Sequence, residues 1–476
     1  MSTTRTLLVP CCLLLLTTAC SSEEDAGDGG DDLGAAECPV VVSDDDCDRD
    51  QRPFVFVHGT YGSGDNFANV ASLLGSNGFC QDRIYAFEYN SLGDQPAAKC
   101  EGDPMPQGCG KLDVFIDEIL ADTGFDKVDL SGHSQGTAHC GTYLADPAQA
   151  AKVAHYVNYS GSPDVGAVPT LSLSSNFDLG LTPHHATGSD VEAVTFEDED
   201  HFAVASSRRA FVATYEYLKG EPPKYEEVQC GDEEVTVEGI SETFADNQPV
   251  PGKLELREMT DTPRSEGTPV VTFDGAALPD GRFGPFTLKR GVAYELKGFD
   301  PQGVLIGYQY FTPFKRSNRL VRLLSPAFEG DGSTVGGVVA AASTDHVVRG
   351  PNHVALVARW AGGAFRHDLG ARLTIDGVDV LASENAGADA YANGAGLSGG
   401  VVGFFMNDAN ENGASDLGLY HSGPFISFTD VFIGTDTPKI SELRFTAGSE
   451  DPSIVNQKVR ISNWPSSDAQ VLVMFQ

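Results

Sequence analysis

The chain has 476 residues, a formal net charge of −37 at pH 7 and a sequence pI of about 4.4. Such an acidic surface repels nucleic acids and anionic lipid headgroups, which excludes DNA or RNA binding and polybasic membrane docking. Hydrophobic residues make up 41% of the chain, enough for an ordinary globular core. The length predicts two or three domains.

The first twenty residues have the character of an export signal. Arg5 precedes an apolar run from Leu7 to Leu16, which is too short to span a bilayer. The segment resembles a bacterial lipoprotein signal, in which Cys20 becomes the lipidated N-terminus, although Thr17 stands where that motif usually has Leu. It predicts a protein anchored through Cys20 at an outer membrane or cell surface. Ordinary secretion is the alternative.

An acidic segment follows the signal. Residues 21–52 contain twelve acidic and two basic residues, with Gly, Ser and Ala between them. Because such a segment cannot bury enough apolar surface to fold, we predict a disordered tether.

Seven cysteines follow Cys20, all of them in the first half of the chain. An export signal permits disulfides, and an odd number leaves at least one thiol free. Cys100 and Cys109 flank a loop rich in Pro and Gly and are predicted to pair. Cys140 is predicted to stay free and buried. The remaining pairings are left open.

Residues 53–222 alternate between strand and helix patterns. The clearest helix pattern places Leu112, Ile116 and Ile119 on one face, and Gly124 ends it. Six apolar runs read as strands, over residues 54–57, 83–89, 127–131, 155–160, 169–174 and 191–196. This alternation predicts an α/β domain whose parallel sheet is covered by helices on both faces.

The rest of the chain changes character. Short alternating segments separated by turn signals follow, without a convincing helix pattern. They predict an all-β region of one or two sandwich or barrel units. We expect one unit over residues 227–325 and a second, richer in Gly and Ala, over residues 326–476.

A nucleophile pattern lies between the predicted strand at 127–131 and a helix start rich in Ala and Gly. Gly132-His133-Ser134-Gln135-Gly136 fits G-x-S-x-G. In this pattern the serine occupies a tight strand-to-helix turn, so that its hydroxyl is clear of the sheet edge. The helix N-terminus that follows favours developing negative charge. Ser134 is therefore the predicted nucleophile.

A nucleophilic serine needs a histidine base and a carboxylate that orients it. In this fold the chain order is serine, acid, histidine. Asp178 and His201 each follow a predicted strand in a loop, where α/β sheets place their sites, and we predict them as acid and base. Asp164 is a competing acid. The competing histidines, His184 and His185, precede the last strand and are expected to be exposed.

Two further features concern the surroundings of this site. The oxyanion hole is predicted to use the backbone N–H groups of Gln135 and of Thr60, which lies in the loop His58-Gly59-Thr60 after the first strand. The acidic run 197–200 before His201 is expected to be a solvated loop, although it could also raise the pKa of the imidazole.

The motifs VHGT and GHSQG resemble those of the lipase and esterase branch of the α/β-hydrolases. Residues 53–220 are similar to small bacterial triacylglycerol lipases. The tail, with VEGISETFADNQPVPGKLELRE and YFTPFKRSNRLVRLL, resembles the β domain of an archaeal-type lipase, and its first part resembles transthyretin-like modules. The resemblance implies ester hydrolysis, no organic cofactor, and a β domain that shapes or covers the acyl pocket. Long-chain acylglycerols are the first predicted substrates.

Two alternative functions and one possible ion, calcium, stay open. The enzyme could hydrolyse shorter or polymeric esters, or the chain could be a non-catalytic lipid- or glycan-binding protein on a hydrolase scaffold. The side chains of Asp408, Asn410, Asn412 and Asp416 resemble the start of a calcium loop. Leu419 stands where an EF-hand needs Glu, so a polar turn is the favoured interpretation.

Overall fold

The computed structural model describes residues 38–178, 182–244, 246–265, 267–275, 280–325, 346–366, 370–381, 401–423, 426–447 and 457–476. The predicted signal, Cys20 and residues 21–37 of the predicted tether lie outside this part of the chain. Within it, no helix has both the length and the apolar character needed to cross a membrane.

The tether prediction is wrong for residues 38–52. Disulfides join Cys38 to Cys230 and Cys47 to Cys80. Asp44 pairs with Arg316, which is almost fully buried. Composition alone suggested disorder, but covalent bonds and a charge partner from distant parts of the chain fix this segment on the protein.

The first half of the chain forms the predicted α/β domain. Its strands are β1 Phe54–Val57, β2 Ile84–Phe87, β3 Val128–His133, β4 Val153–Tyr159, β5 Thr170–Ser175 and β6 Val191–Phe196. Its helices are α1 Ala68–Ser76, α2 Lys111–Thr123, α3 Gln135–Leu144, α4 Pro147–Ala150, α5 Ala203–Ser206 and α6 Arg208–Lys219, with 3₁₀ turns at Gly64–Phe67 and Gln81–Arg83. All six predicted strands are present within a few residues of their expected limits.

The six strands pair in parallel in the order β2-β1-β3-β4-β5-β6. Strand β1 is fully buried, since Phe54 and Phe56 contribute to one hydrophobic core and Val55 and Val57 to another. A parallel sheet covered on both faces requires such continuous apolar strands. The carboxyl ends of the strands therefore meet at one edge of the sheet.

The second half of the described chain is all-β. Its strands are β7 Glu234–Thr243, β8 Lys253–Glu258, β9 Val271–Asp274, β10 Arg282–Lys289, β11 Tyr294–Phe299, β12 Leu305–Phe311, β13 Asn318–Ser325, β14 Leu356–Trp360, β15 Arg372–Ile375, β16 Val378–Asp379, β17 Gly403–Asn407, β18 Leu419–Gly423, β19 Ile426–Asp430, β20 Ile440–Thr446, β21 Gln457–Ser462 and β22 Gln470–Phe475.

The two predicted β units share one sheet. A nine-stranded sheet has the order β18-β19-β17-β14-β22-β12-β11-β8-β9. Strand β22, at the end of the chain, pairs in parallel with both β12 and β14 and so joins the units. Sequence could not predict this pairing, because strands far apart in the chain carry no local signal of their partner.

The β region also shares a core with the α/β domain. One hydrophobic cluster includes Phe54 and Phe67 from the first half together with Val235, Phe283 and Val321 from the β region. The apolar area removed from water between the two regions is thus part of a single folding core. Removal of the β region would expose this apolar surface of the α/β domain. Truncation is therefore a poor test of what the β region does, because it also disturbs the shared core.

The cysteine predictions that the sequence allowed are confirmed. Cys100 and Cys109 form a disulfide in the loop before α2. Cys140 is free and lies in the core on α3. Burial raises the pKa of Cys140, so its thiol stays protonated.

Candidate active site

Ser134 occupies the strand-to-helix turn between β3 and α3. Its backbone has φ +52° and ψ −121°, a conformation that is costly for a residue with a side chain. The N–H of Ser134 donates to the carbonyl of Tyr159 at 3.0 Å, and its own carbonyl accepts from Thr137. These bonds hold the strained turn, which is the geometry expected of a nucleophile elbow.

Two glycines allow other backbone segments to approach this turn. A Cβ atom on Gly59 would lie 2.8 Å from the Cβ of Ser134, and one on Gly136 would lie 2.3 Å from the carbonyl oxygen of Val57. Only glycine permits both approaches. The loop after β1 is thereby placed directly beside the serine.

The predicted acid and base meet at the same edge of the sheet. Asp178 follows β5 and His201 follows β6, and Oδ1 of Asp178 lies 2.6 Å from Nδ1 of His201. Asp178 is fully buried, and His201 is 4% exposed. The contact orients the imidazole, as the carboxylate of a serine hydrolase triad must.

The competing residues have other partners. Asp164 is exposed and accepts from the N–H of Gly166 within its own turn. The expectation of exposed histidines is wrong, because His184 and His185 are half-buried. His185 lies between the hydroxyls of Ser172 and Thr195, at 3.1 and 2.9 Å. Its side chain thus joins β5 to β6.

Ser160 is a member of this site that sequence reasoning missed. It follows β4, has φ +55°, and donates its hydroxyl to Oδ2 of Asp178. The two oxygens of Asp178 therefore have different partners, Ser160 and His201. The signal for Ser160 was its position at the carboxyl end of a strand next to β5, which places it at the edge where Asp178 lies.

His133 is the second missed residue. Its Nε2–H donates to the carbonyl oxygen of His201 at 2.7 Å, and the two rings lie 4.7 Å apart. Burial and the neighbouring His201 lower the pKa of His133 to about 3. His133 therefore stays neutral and connects the backbone of His201 to the turn that carries Ser134.

This burial predicts a specific acid sensitivity of folding. The pKa of His133 is about 3 in the folded protein and 6.5 as the ordinary value. Between these pH values the unfolded chain binds more protons, so the contribution of His133 is complete above pH 6.5 and is lost as the pH falls. For each unit by which the pH is lowered in this range, we expect the unfolding free energy of the parent protein to fall by about 1.4 kcal/mol more than that of His133→Gln.

Urea unfolding at pH 7 and at pH 4 checks this expectation. The parent protein and His133→Gln are compared at each pH, because only the difference between their slopes reports the histidine. Parallel loss of stability in both proteins would contradict a neutral buried His133.

The predicted oxyanion residues lie next to each other. We call residues 58–64, which follow β1 and contain the predicted donor Thr60, the oxyanion loop. The hydroxyl of Thr60 donates to Oε1 of Gln135 at 2.8 Å, and Nε2 of Gln135 donates to the carbonyl of Ser91 at 2.9 Å. Gln135 is the first residue of α3, so its N–H points out of the helix N-terminus.

The acidic run before His201 is not simply a solvated loop. Glu199 and Asp200 are buried. Asp200 accepts from the N–H groups of Phe202 and Ala203 at 2.9 Å each, and from that of Ala364 in the β region at 3.4 Å. These bonds shape the loop that carries His201, which is a structural use of acidic side chains that composition could not reveal.

The calcium-loop candidates form a polar turn in the structure. Asp408 accepts from the backbone N–H groups of Asn412 and Gly413, and Asn410 and Asn412 donate their side-chain amides to Asp416. Among the described residues, no group of three or more His, Cys, Asp or Glu side chains is arranged to hold a metal ion.

Comparison with known families covers both halves of the chain. The family model described as alpha/beta hydrolase fold matches residues 52–193. A model described as lipase C-terminal domain matches residues 233–327, and a third, also a C-terminal domain, matches residues 343–476. The first match includes Ser134 and Asp178 and ends before His201.

Similar solved structures include lipase B of Aspergillus fumigatus, at 15% identity and TM-score 0.28, where the match covers 37% of this chain and 54% of that one. Naproxen esterase of Bacillus subtilis matches at 13% identity and TM-score 0.25, over 35% of this chain and 83% of its own. A Bacillus licheniformis lipase in its propeptide form matches at 11% identity and TM-score 0.26, over 88% and 95%.

The family models and the fold together identify the chain as an α/β-hydrolase of the lipase and esterase class with a C-terminal domain. Enzymes of this class hydrolyse carboxylic esters. The parallel six-stranded sheet and the all-β region predicted from sequence are both confirmed.

Proposed function

We propose that the protein hydrolyses long-chain acylglycerols with Ser134 as nucleophile, His201 as base and Asp178 as the orienting acid. The observation that carries the proposal is the 2.6 Å contact between buried Asp178 and His201, beside the strained turn of Ser134. The lipase C-terminal domain match favours acylglycerols as substrates.

In the first half-reaction, Oγ of Ser134 attacks the ester carbonyl carbon while Nε2 of His201 takes the hydroxyl proton. The negative charge on the carbonyl oxygen is stabilised by the N–H groups of Thr60 and Gln135. The C–O bond to the alcohol then breaks, and His201 returns the proton to the leaving oxygen. Asp178 stabilises the imidazolium that exists between these steps.

The second half-reaction uses the same residues. His201 takes a proton from water, whose oxygen attacks the carbonyl carbon of the acyl-serine. The bond to Oγ of Ser134 breaks, and the proton passes from His201 to Ser134. The products are one alcohol and one carboxylic acid, and no cofactor enters the balance.

Chain-length preference tests the substrate class. Hydrolysis of nitrophenyl esters from acetate to palmitate is measured on the folded protein, and we expect kcat/KM to rise with chain length. Activity confined to short chains would contradict the lipase assignment and favour a short-chain or polymer esterase. Absence of both hydrolysis and fluorophosphonate labelling at Ser134 would favour the non-catalytic binding protein.

The proposal includes export and lipid anchoring at Cys20. Three disulfides are consistent with an extracellular protein. Cells that express the full chain are fed radiolabelled palmitate, and label is expected in the parent protein and absent from Cys20→Ser. An unlabelled parent protein recovered from the medium would indicate ordinary secretion.

A further inference from the structure

The oxyanion loop is held by side chains that come from the β region. Arg322 on β13 is the central one and is buried. Its Nε donates to Oε1 of Glu88 at 2.8 Å, and its Nη2 donates to the same oxygen. Glu88 lies just after β2 in the α/β domain, so this buried ion pair joins the two halves of the chain.

Glu88 in turn contacts both ends of the oxyanion loop. Its Oε1 accepts from the N–H of Gly64 at 2.8 Å, and its Oε2 lies 3.3 Å from Nε2 of His58. Burial opposes ionisation of Glu88, but Arg322 and His58 together outweigh it and lower the pKa of Glu88 to about 2. A charged carboxylate is therefore present beside the loop, and it needs its partner arginine.

The fit between Arg322 and the loop is close. A Cβ atom on Gly64 would lie 2.2 Å from Nη2 of Arg322 and 2.7 Å from Oε1 of Glu88. Glycine at this position lets the guanidinium reach the carboxylate. Glu242 on β7 also lies near Arg322, with its Oε1 at 3.6 Å from Nε of Arg322. Burial raises the pKa of Glu242.

Other β-region residues contact the same loop or its continuation. Nδ2 of Asn247 donates to the carbonyl of Gly62 at 2.9 Å. Tyr61 packs against a hydrophobic cluster made of β-region residues. Beyond the loop, Nη1 of Arg359 on β14 donates to Oδ2 of Asp65 at 2.7 Å, and both side chains are buried.

We propose that Arg322 is a positioning residue for ester hydrolysis, which holds the oxyanion loop in its catalytic position through Glu88. The β region thereby supplies part of the frame of the oxyanion hole. This inference rests on the proposed function, since it concerns the N–H of Thr60 in the same loop.

The size of the expected effect follows from how oxyanion holes work. Their donors are useful only when they point at the oxygen of the transition state, and loss of one donor costs about 10²- to 10³-fold in kcat. Displacement of a loop by about 1 Å can cost about 10²-fold. We therefore expect Arg322→Met to lower kcat by about 10- to 100-fold, with KM within about twofold of the parent value.

The matched control is Arg319→Met. Arg319 lies on the same strand and pairs with Glu238, and both side chains of this ion pair are partly exposed. Both variants lose one positive charge from β13. Arg319→Met is expected to keep the parent kcat and KM.

A second readout separates positioning from folding. Phenylboronic acid forms a tetrahedral adduct on an active serine, so its inhibition constant reports the oxyanion hole. We expect it to weaken in Arg322→Met by the same factor as kcat. Folded Arg322→Met with the parent kcat and the parent inhibition constant would overturn the inference.

If Arg322→Met does not fold, the double variant Glu88→Gln/Arg322→Met replaces it, because it removes the buried unpaired carboxylate. Recovered stability with a kcat that remains low would support positioning. Recovery of stability and kcat together would show that Arg322 serves only as a counterion. A parent protein that neither hydrolyses esters nor binds the boronate would overturn the proposed function itself. A parent protein that does both, beside a folded Arg322→Met with the same kcat and inhibition constant, would overturn only this inference.

Discussion

Ser134→Ala is expected to lower kcat for ester hydrolysis by about 10⁶-fold, as removal of the nucleophile does in other serine hydrolases. The reason is geometric. Ser134 is fixed by its strained turn and by the bond from its N–H to the carbonyl of Tyr159, and the hydroxyl of Thr137 is engaged with the carbonyl of Ser134. A small residual rate over water remains, because the oxyanion N–H groups are backbone groups and survive the substitution.

The measurement is kcat for a nitrophenyl ester together with covalent labelling by a fluorophosphonate. Thr142→Ala is the matched control, since Thr142 also carries a hydroxyl, lies on the exposed face of α3, and donates to Ala138 one turn earlier. The control should keep parent activity and labelling. Equal activity in Ser134→Ala and the parent protein would exclude Ser134 as the nucleophile.

Asp178→Asn should lower kcat by about 10⁴-fold with little change in the fold. Asparagine can donate its amide to Nδ1 of His201, which would leave the proton of the neutral ring on Nε2, the atom that must accept the proton of Ser134. The 2.6 Å contact is buried, which limits access of solvent to Nδ1 of the ring and makes this tautomer effect severe.

Two further variants test the assignment of Asp178 as the acid and the role of its second hydrogen bond. Asp164→Asn makes the same chemical change at the competing acid, which is exposed, and should leave kcat unchanged. Ser160→Ala removes one hydrogen bond to the carboxyl of Asp178 and should lower kcat by about 10- to 100-fold, because such bonds contribute about 1.5–3 kcal/mol. A larger loss in Asp164→Asn than in Asp178→Asn would reverse the assignment of the acid.

The parallel sheet could be predicted because its signals are local. Strand β1 is a continuous apolar run, as a strand buried on both faces must be. The helix face of Leu112, Ile116 and Ile119 is buried as its spacing indicated, and Gly124 ends that helix with φ +75°. The G-x-S-x-G pattern likewise specifies its own turn, since flanking glycines and a strained serine are short-range requirements.

The proposed catalytic partners of Ser134 could be predicted only from their order along the chain. The carboxyl ends of parallel strands meet at one edge, so loops after β5 and β6 had to lie near Ser134. That rule led to the prediction of Asp178 and His201, and the structure adds the 2.6 Å contact between them. Ser160 and His133 were missed because each acts through a backbone or side-chain bond that has no sequence pattern.

By itself, the sequence determined the α/β and all-β halves, the strained turn at Ser134, the Cys100–Cys109 disulfide and the free Cys140, all of which depend on local patterns or short separations. Only the tertiary structure decided that residues 38–52 are fixed, that the two β units share a sheet, and that Arg322 reaches Glu88. These contacts join residues far apart in the chain. Their free energy depends on burial and on a partner in space, and neither is encoded in a window of sequence.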